Sequence, residues 1–541
     1  MKRQPRILFC TEASFLKSGY AIYAQKLIKS FFESGKYIVA EFASYSDIST
    51  ASHHDIPWPF YPNAVGKEDE RYDKYKSVYS NQFGHWRFDV VCLDFKPDIV
   101  IDFRDPWMFE HEAFSSLRRY FKWIIMPPVD SIPQKNDWIR TFCGADLVIP
   151  YTKWAKTEFE KYNINLHPEP ALAGVEFDVF KPLDSAEIRN RFGINDDTFI
   201  IGSVMRNQKR KMIPELLQSL SSMLKTNNNI KLYLHTTFPE AGGWDIPELL
   251  MRYDVISHVL FTYFCRKCHG YHPSTYKGAQ IICPHCNSFS SSLSHPNSGV
   301  NEQQMAEIYN TFDIYVQYAI CEGFGMPQVE AASCGIPIFG INYSAMSEVI
   351  EGIGGHKIEP LSLMCEIESG ANRASHNNDE LIQLVLNYKN SVDKEEKNKI
   401  KQQTRINAIV LYNWQNVSRI WMEAIDNIAD SIDSNAWENR DIYEISESID
   451  IDIHKPTYEL ASDIVHNIIK EPELFNSNFV RKIMKDAELG FVINAQDVIP
   501  FNKKDMVKKL EQYCNNKKLM DNLRLNGNLQ EDYILFARKS L

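Results

Sequence analysis

Along the first third of the chain, short apolar runs alternate with stretches in which apolar residues recur every three or four positions. RILFC (6–10), YIVAEF (37–42), PDIVIDF (97–103), KWIIMPP (122–128) and DLVIPYT (146–152) read as strands. SGYAIYAQKLIKSFFESG (18–35) reads as a helix: Ser18 and Gly19 open it, Ile22, Tyr23, Leu27, Ile28 and Phe31 share one face, and Gly35 stops it. Strands divided by amphipathic helices predict βαβ units on a parallel sheet.

A second alternating unit begins at FIIGSV (199–204), after the proline-bearing connection HPEPALAGVEFDVFKP (167–182). Helix-like IPELLQSLSSML (213–224), strand-like IKLYLHT (230–236), helix-like QQMAEIY (303–309) and strand-like DIYVQYA (313–319) follow. The expected class is α/β, with two facing Rossmann-like domains at 1–175 and 176–429. Residues 262–299 interrupt the second with an insert rich in cysteine, histidine and serine, and 430–541 form an acidic, helix-like appendage with segments such as YELASDIVHNIIKE (458–471) and KKDMVKKLEQY (503–513). The aromatic-rich stretch 43–90, with WPFYP and HWRF, either stacks on sugar rings or fills the core.

Composition narrows the class. A chain of 541 residues, 44% hydrophobic and 24% charged, is long enough for two or more domains and is neither disordered nor membrane-like. MKRQPRILFC runs from a basic start straight into a strand, so a cytoplasmic protein is expected. With 59 Lys plus Arg against 70 Asp plus Glu the net charge is −11, which disfavours a surface that grips nucleic acid by bulk charge. Of the 11 cysteines, four sit in two CxxC units, the usage of a reducing compartment with one metal site.

The chemistry concentrates in CEGFGMPQVEAASCGIPIFG (321–340). Gly323 and Gly325, flanking Phe324, permit close approach of a ligand, and Pro327 suits the first turn of a helix that starts near Met326 and stops at Gly335. The free N–H groups and positive dipole end of such a helix seat phosphate oxygens. Glu322 lies before the turn and Glu330 one turn inside the helix, where carboxylates can accept hydrogen bonds from vicinal hydroxyls. A diphosphate flanked by two sugars satisfies every part, and a nucleotide-sugar is such a molecule. GSVMRNQKRK (202–211) adds Arg206 and Lys211 just after a strand, where fixed cations stabilise the charge that grows on a leaving diphosphate; Lys209 and Arg210 read as solvated. Ser18 and Gly19 either face the same phosphates or only cap their helix.

EGFGMPQVEAASCGIP resembles the EGFGLPxxEAMACGxP signature of retaining GT-B glycosyltransferases of family 4; MRNQKRK is similar to their Arg followed by Lys five residues on, and GVEFDVFKP (174–182) to their GVDxxxFxP connection, with Glu176 for Asp. The resemblance covers roughly residues 5–429 and is specific in the second domain. It implies a UDP-, GDP- or ADP-sugar donor, Glu330 on the ribose, Glu322 at the donor sugar, Arg206 and Lys211 on the diphosphate, a front-face reaction with retained configuration, and no catalytic metal. Where relatives carry a His near the donor sugar, this chain reads MPPVDSIP: Asp130 either orients a sugar hydroxyl, helps to deprotonate the acceptor, or caps a turn before Ser131. NYSAMSEV (342–349) resembles the donor-side loop, so Ser344 and Glu348 are either donor contacts or helix-start residues. Inserts of this kind are similar to those of phage-type enzymes, which brings in a hydroxylated DNA base as acceptor; net charge disfavours it. A non-catalytic binding module is the other reading. DID (450–452) reads as a solvated acidic face.

FCRKCHGYHPSTYKGAQIICPHCNSF places Cys265, Cys268, Cys283 and Cys286 in two CxxC knuckles, the ligand pattern of a structural zinc ribbon; His269, His272 and His285 stand nearby, but four thiolates already close a tetrahedral site.

Overall fold

A computed structural model describes residues 3–115, 117–295, 299–433 and 436–437. The helix-like segments 458–471 and 503–513 and the acidic triplet 450–452 lie outside the described residues.

Two parallel sheets organise the molecule. In the first, the spatial order is Phe60–Pro62, Ile38–Ser44, Arg6–Glu12, Ile99–Asp102, Lys122–Ile125, Leu147–Val148, all parallel. In chain order this is 3-2-1-4-5-6, the doubly wound arrangement. Helices cover both faces of such a sheet, so its strands are largely apolar and their burial does not alternate: Ile99–Asp102 is buried at every position. The first helix spans Gly19–Ser34; Ser18 Oγ accepts from Ala21 N (3.1 Å), and Gly35, at φ 62, ends it in the left-handed conformation that glycine adopts without strain. Its buried face carries Tyr23, Leu27, Ile28 and Phe31. Trp58, Phe60, Tyr61, Phe83 and Phe88 are also buried, so the main aromatics of 43–90 fill the core.

The second sheet repeats the order. Val259–Cys265, Ile230–His235, Phe199–Val204, Ile314–Gln317, Ile338–Ile341 and His356–Ile358 lie side by side and parallel, again 3-2-1-4-5-6. The cysteine-bearing segment extends this sheet where the sequence reads as an interruption of it. Val259–Leu260 pair with the parallel neighbour, and the rest of the same strand runs on between antiparallel Tyr271–Ser274 and Phe289–Leu293. The two units are α/β layers of one type, each with the strand order of a Rossmann-like domain.

The chain does not end where its second sheet does. Helix Trp414–Ala429 returns to the first unit: Trp421 Nε1 donates to Tyr23 Oη (2.8 Å), Tyr37 Oη donates to Asp426 (2.6 Å), and Trp421 is fully buried. Trp437 Nε1 donates to the Pro97 carbonyl of the same unit (2.8 Å). Among the described residues no helix is long and apolar enough to cross a membrane.

Candidate functional site

In a doubly wound sheet ligands sit beyond the carboxyl ends of the strands, at the point where the winding direction reverses. In the second sheet that point lies between Phe199–Val204 and Ile314–Gln317. The loops leaving these two strands are the two segments singled out by their chemistry, residues 205–212 and 318–325.

Glu322 joins them. Lys211 Nζ contacts its carboxylate, Arg210 Nη1 donates to it (2.7 Å) and to the Cys321 carbonyl (3.1 Å), and Gln317 Nε2 donates to Oε1 (3.1 Å). Ser344 Oγ accepts from Glu322 N and donates to Glu322 O, both at 3.0 Å, and Ser344 itself holds φ 56, a strained value for a residue with a side chain. Arg210 is therefore part of the cluster, where the sequence reads it as solvated; nothing in a KRK triplet shows which cation turns inward. Burial, with Arg210 and Arg206 nearby, pulls the Lys211 ammonium well below its ordinary range, and Cys321 and Asp130 oppose this. Arg206 stands outside the cluster: its side chain is exposed and pairs with Glu240, on the loop after Ile230–His235.

The helix after the turn spans Met326–Ser333, with Pro327 in its first turn and no side chain capping its start. Gly325 holds φ 88, and a Cβ there would lie 2.8 Å from Gln328 Nε2, so glycine is required. The side chain of Phe324 belongs to the core: it is 3% exposed and its ring stacks on Tyr151 at 5.2 Å, so toward a ligand this position offers backbone only. Met326 packs against the same cluster. Glu330 accepts from Tyr309 Oη (2.6 Å); burial pushes its carboxyl up to about 7, with that hydrogen bond opposing.

The first unit supplies the facing wall. Its own reversal point lies between Arg6–Glu12 and Ile99–Asp102; Glu12 ends the first of these strands, and the segments that follow them carry Ser18 and Asp105. Ser18 Oγ caps its helix and donates to the Glu12 carboxylate; a methyl added at Gly19 would meet nothing within 4 Å, so packing does not require glycine there. Asp105 accepts from Tyr20 Oη (2.7 Å), and burial pushes its carboxyl up to about 7 against that bond. Asp130 reaches across: it accepts from Arg373 Nη1 (3.0 Å) and lies 3.4 Å from Cys321 Sγ, while Ser131 Oγ also donates to it (2.8 Å). Burial raises this carboxyl, but Arg373, the Ser131 hydroxyl and Arg210 together more than reverse the effect and hold it below the ordinary value. Pro128 stands 3.2 Å from where a Cβ on Gly323 would be, so the two walls touch at this loop. Glu348 is turned to the interface, accepting from Lys153 N (3.1 Å) and Trp154 N (2.8 Å) at the start of helix Lys153–Phe159.

The structure thus brings Glu322, Lys211, Asp130, Ser344, Gly323 and Gly325 together and sets Arg206 and Glu330 at the edges. Sequence reading passed over Arg210, Arg373, Gln317, Tyr309, Glu12 and Asp105. The rule that ligands gather past strand ends would have reached Glu12, the last residue of the first strand; Arg373 sits in hairpin strand Asn372–Ala374 and left no such signal.

The four cysteines Cys265, Cys268, Cys283 and Cys286 converge separately, in the extension of the second sheet, with their sulfur atoms all within 4.8 Å of one another.

Comparison with known proteins agrees with this layout. Residues 298–354, which hold the glycine-rich turn, its helix and Ser344, match the family described as glycosyl transferases group 1. A 65-residue stretch is 38% identical to sucrose synthase 2 of Pisum sativum, covering 12% of this chain and 8% of that protein's length. Among solved structures, sucrose-phosphate synthase from Thermosynechococcus elongatus superposes with a TM-score of 0.57 at 14% identity, over 79% of this chain and 100% of the other. Anabaena HepE in complex with UDP and glucose superposes with a TM-score of 0.54 at 14% identity, over 78% and 100%. The Rickettsia africae glycosyltransferase gives 0.54 at 14%, over 79% and 99%. The chain has the GT-B fold of these glycosyltransferases, and its segment 298–354 matches glycosyl transferases group 1.

Proposed function

We propose that the protein is a retaining glycosyltransferase of the family 4 type, which moves a sugar from a nucleoside-diphosphate sugar to an acceptor hydroxyl. The observation that carries this reading is the meeting of a cationic turn and an uncapped, glycine-led helix at the reversal point of the second sheet, with glutamates before and inside that helix. The diphosphate lies against the helix start and the cations, where backbone N–H groups and charge act together. Arg206 leaves Glu240 to meet it, and Lys211, held by Glu322 before the donor arrives, brings its ammonium to the phosphate oxygens. Glu330 receives the ribose hydroxyls and Glu322 the hydroxyls of the transferred sugar. The structures of Anabaena HepE in complex with UDP and with UDP-glucose support a uridine donor as the first to test; GDP- and ADP-sugars are the alternatives.

In the reaction the bond from the anomeric carbon to the leaving phosphate oxygen breaks, and a bond to the acceptor oxygen forms on the same face. The acceptor proton passes to the departing phosphate oxygen, so no protein base is required at that step. The cations of the turn stabilise the leaving diphosphate more than the intact donor, which lowers the barrier and not merely the Michaelis constant. Asp130, fixed by Arg373 at the junction of the walls, orients the transferred sugar. The acceptor enters along Glu12, Tyr20 and Asp105, a wall of carboxylates and a phenol that suits a neutral, hydroxyl-bearing molecule and repels phosphates.

Calorimetry with UDP, GDP and ADP, followed by product analysis with the matching labelled sugars, tests the proposal. Binding of one nucleotide in the micromolar range, lost by at least about tenfold in Lys211→Met, and a product with the donor's anomeric configuration are expected. No binding of any of the three would favour a non-catalytic module, an inverted product would refute retention, and label transferred to duplex or single-stranded DNA would overturn the neutral acceptor.

A further inference from the structure

The four cysteines stand apart from the cleft and are not explained by sugar transfer. Cys265 Sγ lies 3.7 Å from Cys286 Sγ, and Cys268 Sγ lies 3.7 Å from Cys283 Sγ. A disulfide needs about 2.05 Å, so neither pair is bonded. Four sulfurs at about 2.3 Å from a common centre form a tetrahedron whose edges are about 3.8 Å, close to the 3.7 Å of these two pairs, and all four sulfurs lie within 4.8 Å of one another.

The backbone repeats itself around the two pairs. In the first, His269 N donates to Cys265 O (2.9 Å), Cys265 N donates to Gly270 O (2.8 Å), and His269 holds φ 57. In the second, Asn287 N donates to Cys283 O (2.9 Å), Cys283 N donates to Ser288 O (2.8 Å), and Asn287 holds φ 54. Each knuckle therefore places the same bonds and the same left-handed residue at the same offset from its first cysteine. Two residues with side chains accept an unfavourable φ to turn two sulfurs inward, which is intelligible if a ligand is held there. Polar hydrogens gather on the sulfurs as they would on thiolates: Ser290 Oγ is 3.0 Å from Cys265 Sγ, Ser288 Oγ is 2.9 Å from Cys286 Sγ, and His285 N donates to Cys283 Sγ (3.4 Å).

We infer that Cys265, Cys268, Cys283 and Cys286 bind one zinc ion as four thiolates, and that this ion braces helix Glu302–Tyr309. Binding releases the thiol protons to solvent, and four sulfur ligands leave no open position, so the site is structural. The brace is visible in the contacts. Tyr271, three residues past Cys268, donates its hydroxyl to Glu307, and Gln304 Nε2 donates to His269 O (3.4 Å). The same helix ends at Tyr309, whose hydroxyl holds Glu330. Soft sulfur ligands in tetrahedral array select zinc over magnesium or calcium.

The metal assignment does not depend on the proposed transfer reaction, and the test is chosen accordingly. Full-length protein made in zinc-replete medium and purified without chelators is expected to carry about one zinc per chain by elemental analysis; Cys268→Ser and Cys286→Ser are expected to carry less than about a tenth of that. Exchange for cobalt(II) in the wild type, which serves also if a variant fails to fold, should give the visible bands of a tetrahedral tetrathiolate. Zinc well below stoichiometry, iron in its place, or a cobalt spectrum of nitrogen and oxygen ligands would overturn the assignment. Zinc removal should raise amide exchange in both knuckles and in Glu302–Tyr309, whereas unchanged protection of that helix would overturn the brace.

Discussion

The contact between Lys211 and Glu322 joins the two halves of the candidate site, and a double-mutant cycle on it measures whether the cluster is as dry as it looks. The side chains are 11% and 7% exposed, so the pair counts as buried. Removing one partner of a buried pair costs about 3–5 kcal/mol, because the other charge is left without water or counter-ion. Here Arg210, 37% exposed, and Gln317 still hold Glu322 when Lys211 is replaced, which lowers the cost of Lys211→Met to about 2–3 kcal/mol. In Glu322→Gln the ammonium can shed its proton, and the cost is similarly limited. The cycle Lys211→Met with Glu322→Gln should return a coupling of about 2 kcal/mol, since the double variant leaves neither charge stranded. Arg206 and Glu240, with Arg206 64% exposed, are the control and should couple by no more than about 1 kcal/mol. Read as the lower thermal transition of nucleotide-free protein, each Lys211 or Glu322 single variant should lose roughly 4–12 °C, from about 2–4 °C per kcal/mol for a unit of this size. Coupling at Lys211 and Glu322 equal to that of the surface pair would refute the picture of a water-poor cluster and, with it, the claim that an arriving anion meets a pre-formed charge.

Glu330, raised to about 7 in the folded protein, binds a proton more tightly there than in the unfolded chain, so its contribution to stability is greatest at low pH and is lost as pH rises from about 4.5 to 7. Discounted for its partial access to solvent, that loss is about 1–2 kcal/mol, and denaturation midpoints of Glu330→Gln against wild type should converge at low pH relative to neutral pH with the variant the more stable at neutral pH. Tyr309→Phe removes the hydroxyl that favours the ionised carboxylate, so nucleotide affinity should fall about three- to tenfold near pH 7 and recover toward pH 8; an unchanged pH profile by calorimetry would contradict the pairing. A Cβ at Gly202 would fall 1.9 Å from the Phe312 ring, so Gly202→Ala should cost about 2–3 kcal/mol and should be largely relieved by Phe312→Leu, as thermal midpoints can check. Arg373→Met should loosen the junction at Asp130, seen as faster amide exchange in 129–132 with nucleotide affinity changed by less than about threefold; unaltered exchange would refute the junction.

Much of this molecule was legible in its sequence because parallel strands buried on both faces write themselves as unbroken apolar runs. The runs at 6–10, 37–42, 199–204 and 230–236 stand in the structure within two residues of their expected limits. Helix starts were legible where a cap or a proline marks them, as at Ser18 and Pro327. Strand Val259–Cys265 was missed because its second half falls within the insert and ends on its first cysteine, and one stretch of chain serves both the sheet and the knuckle. At the candidate site, residues that share a loop with a glycine turn could be read, since local spacing places them. Those that arrive from afar could not: Asp130 and Arg373 are 243 positions apart, and no local pattern says that they meet.

Helix Trp414–Ala429 has a consequence for anyone who would cut this protein in two. It is the last described helix of the chain, yet its buried face, with Ile420, Trp421 and Ile425, closes over Tyr23 and Phe103 near the beginning. A fragment ending at residue 175 would expose that apolar groove to water and should clump, while the complementary fragment would carry a greasy rod with nowhere to lie. Fusing 414–437 to the amino-terminal half through a flexible tether should rescue it, because what folds together here is a closed loop of neighbours in space, and the order of synthesis runs across it.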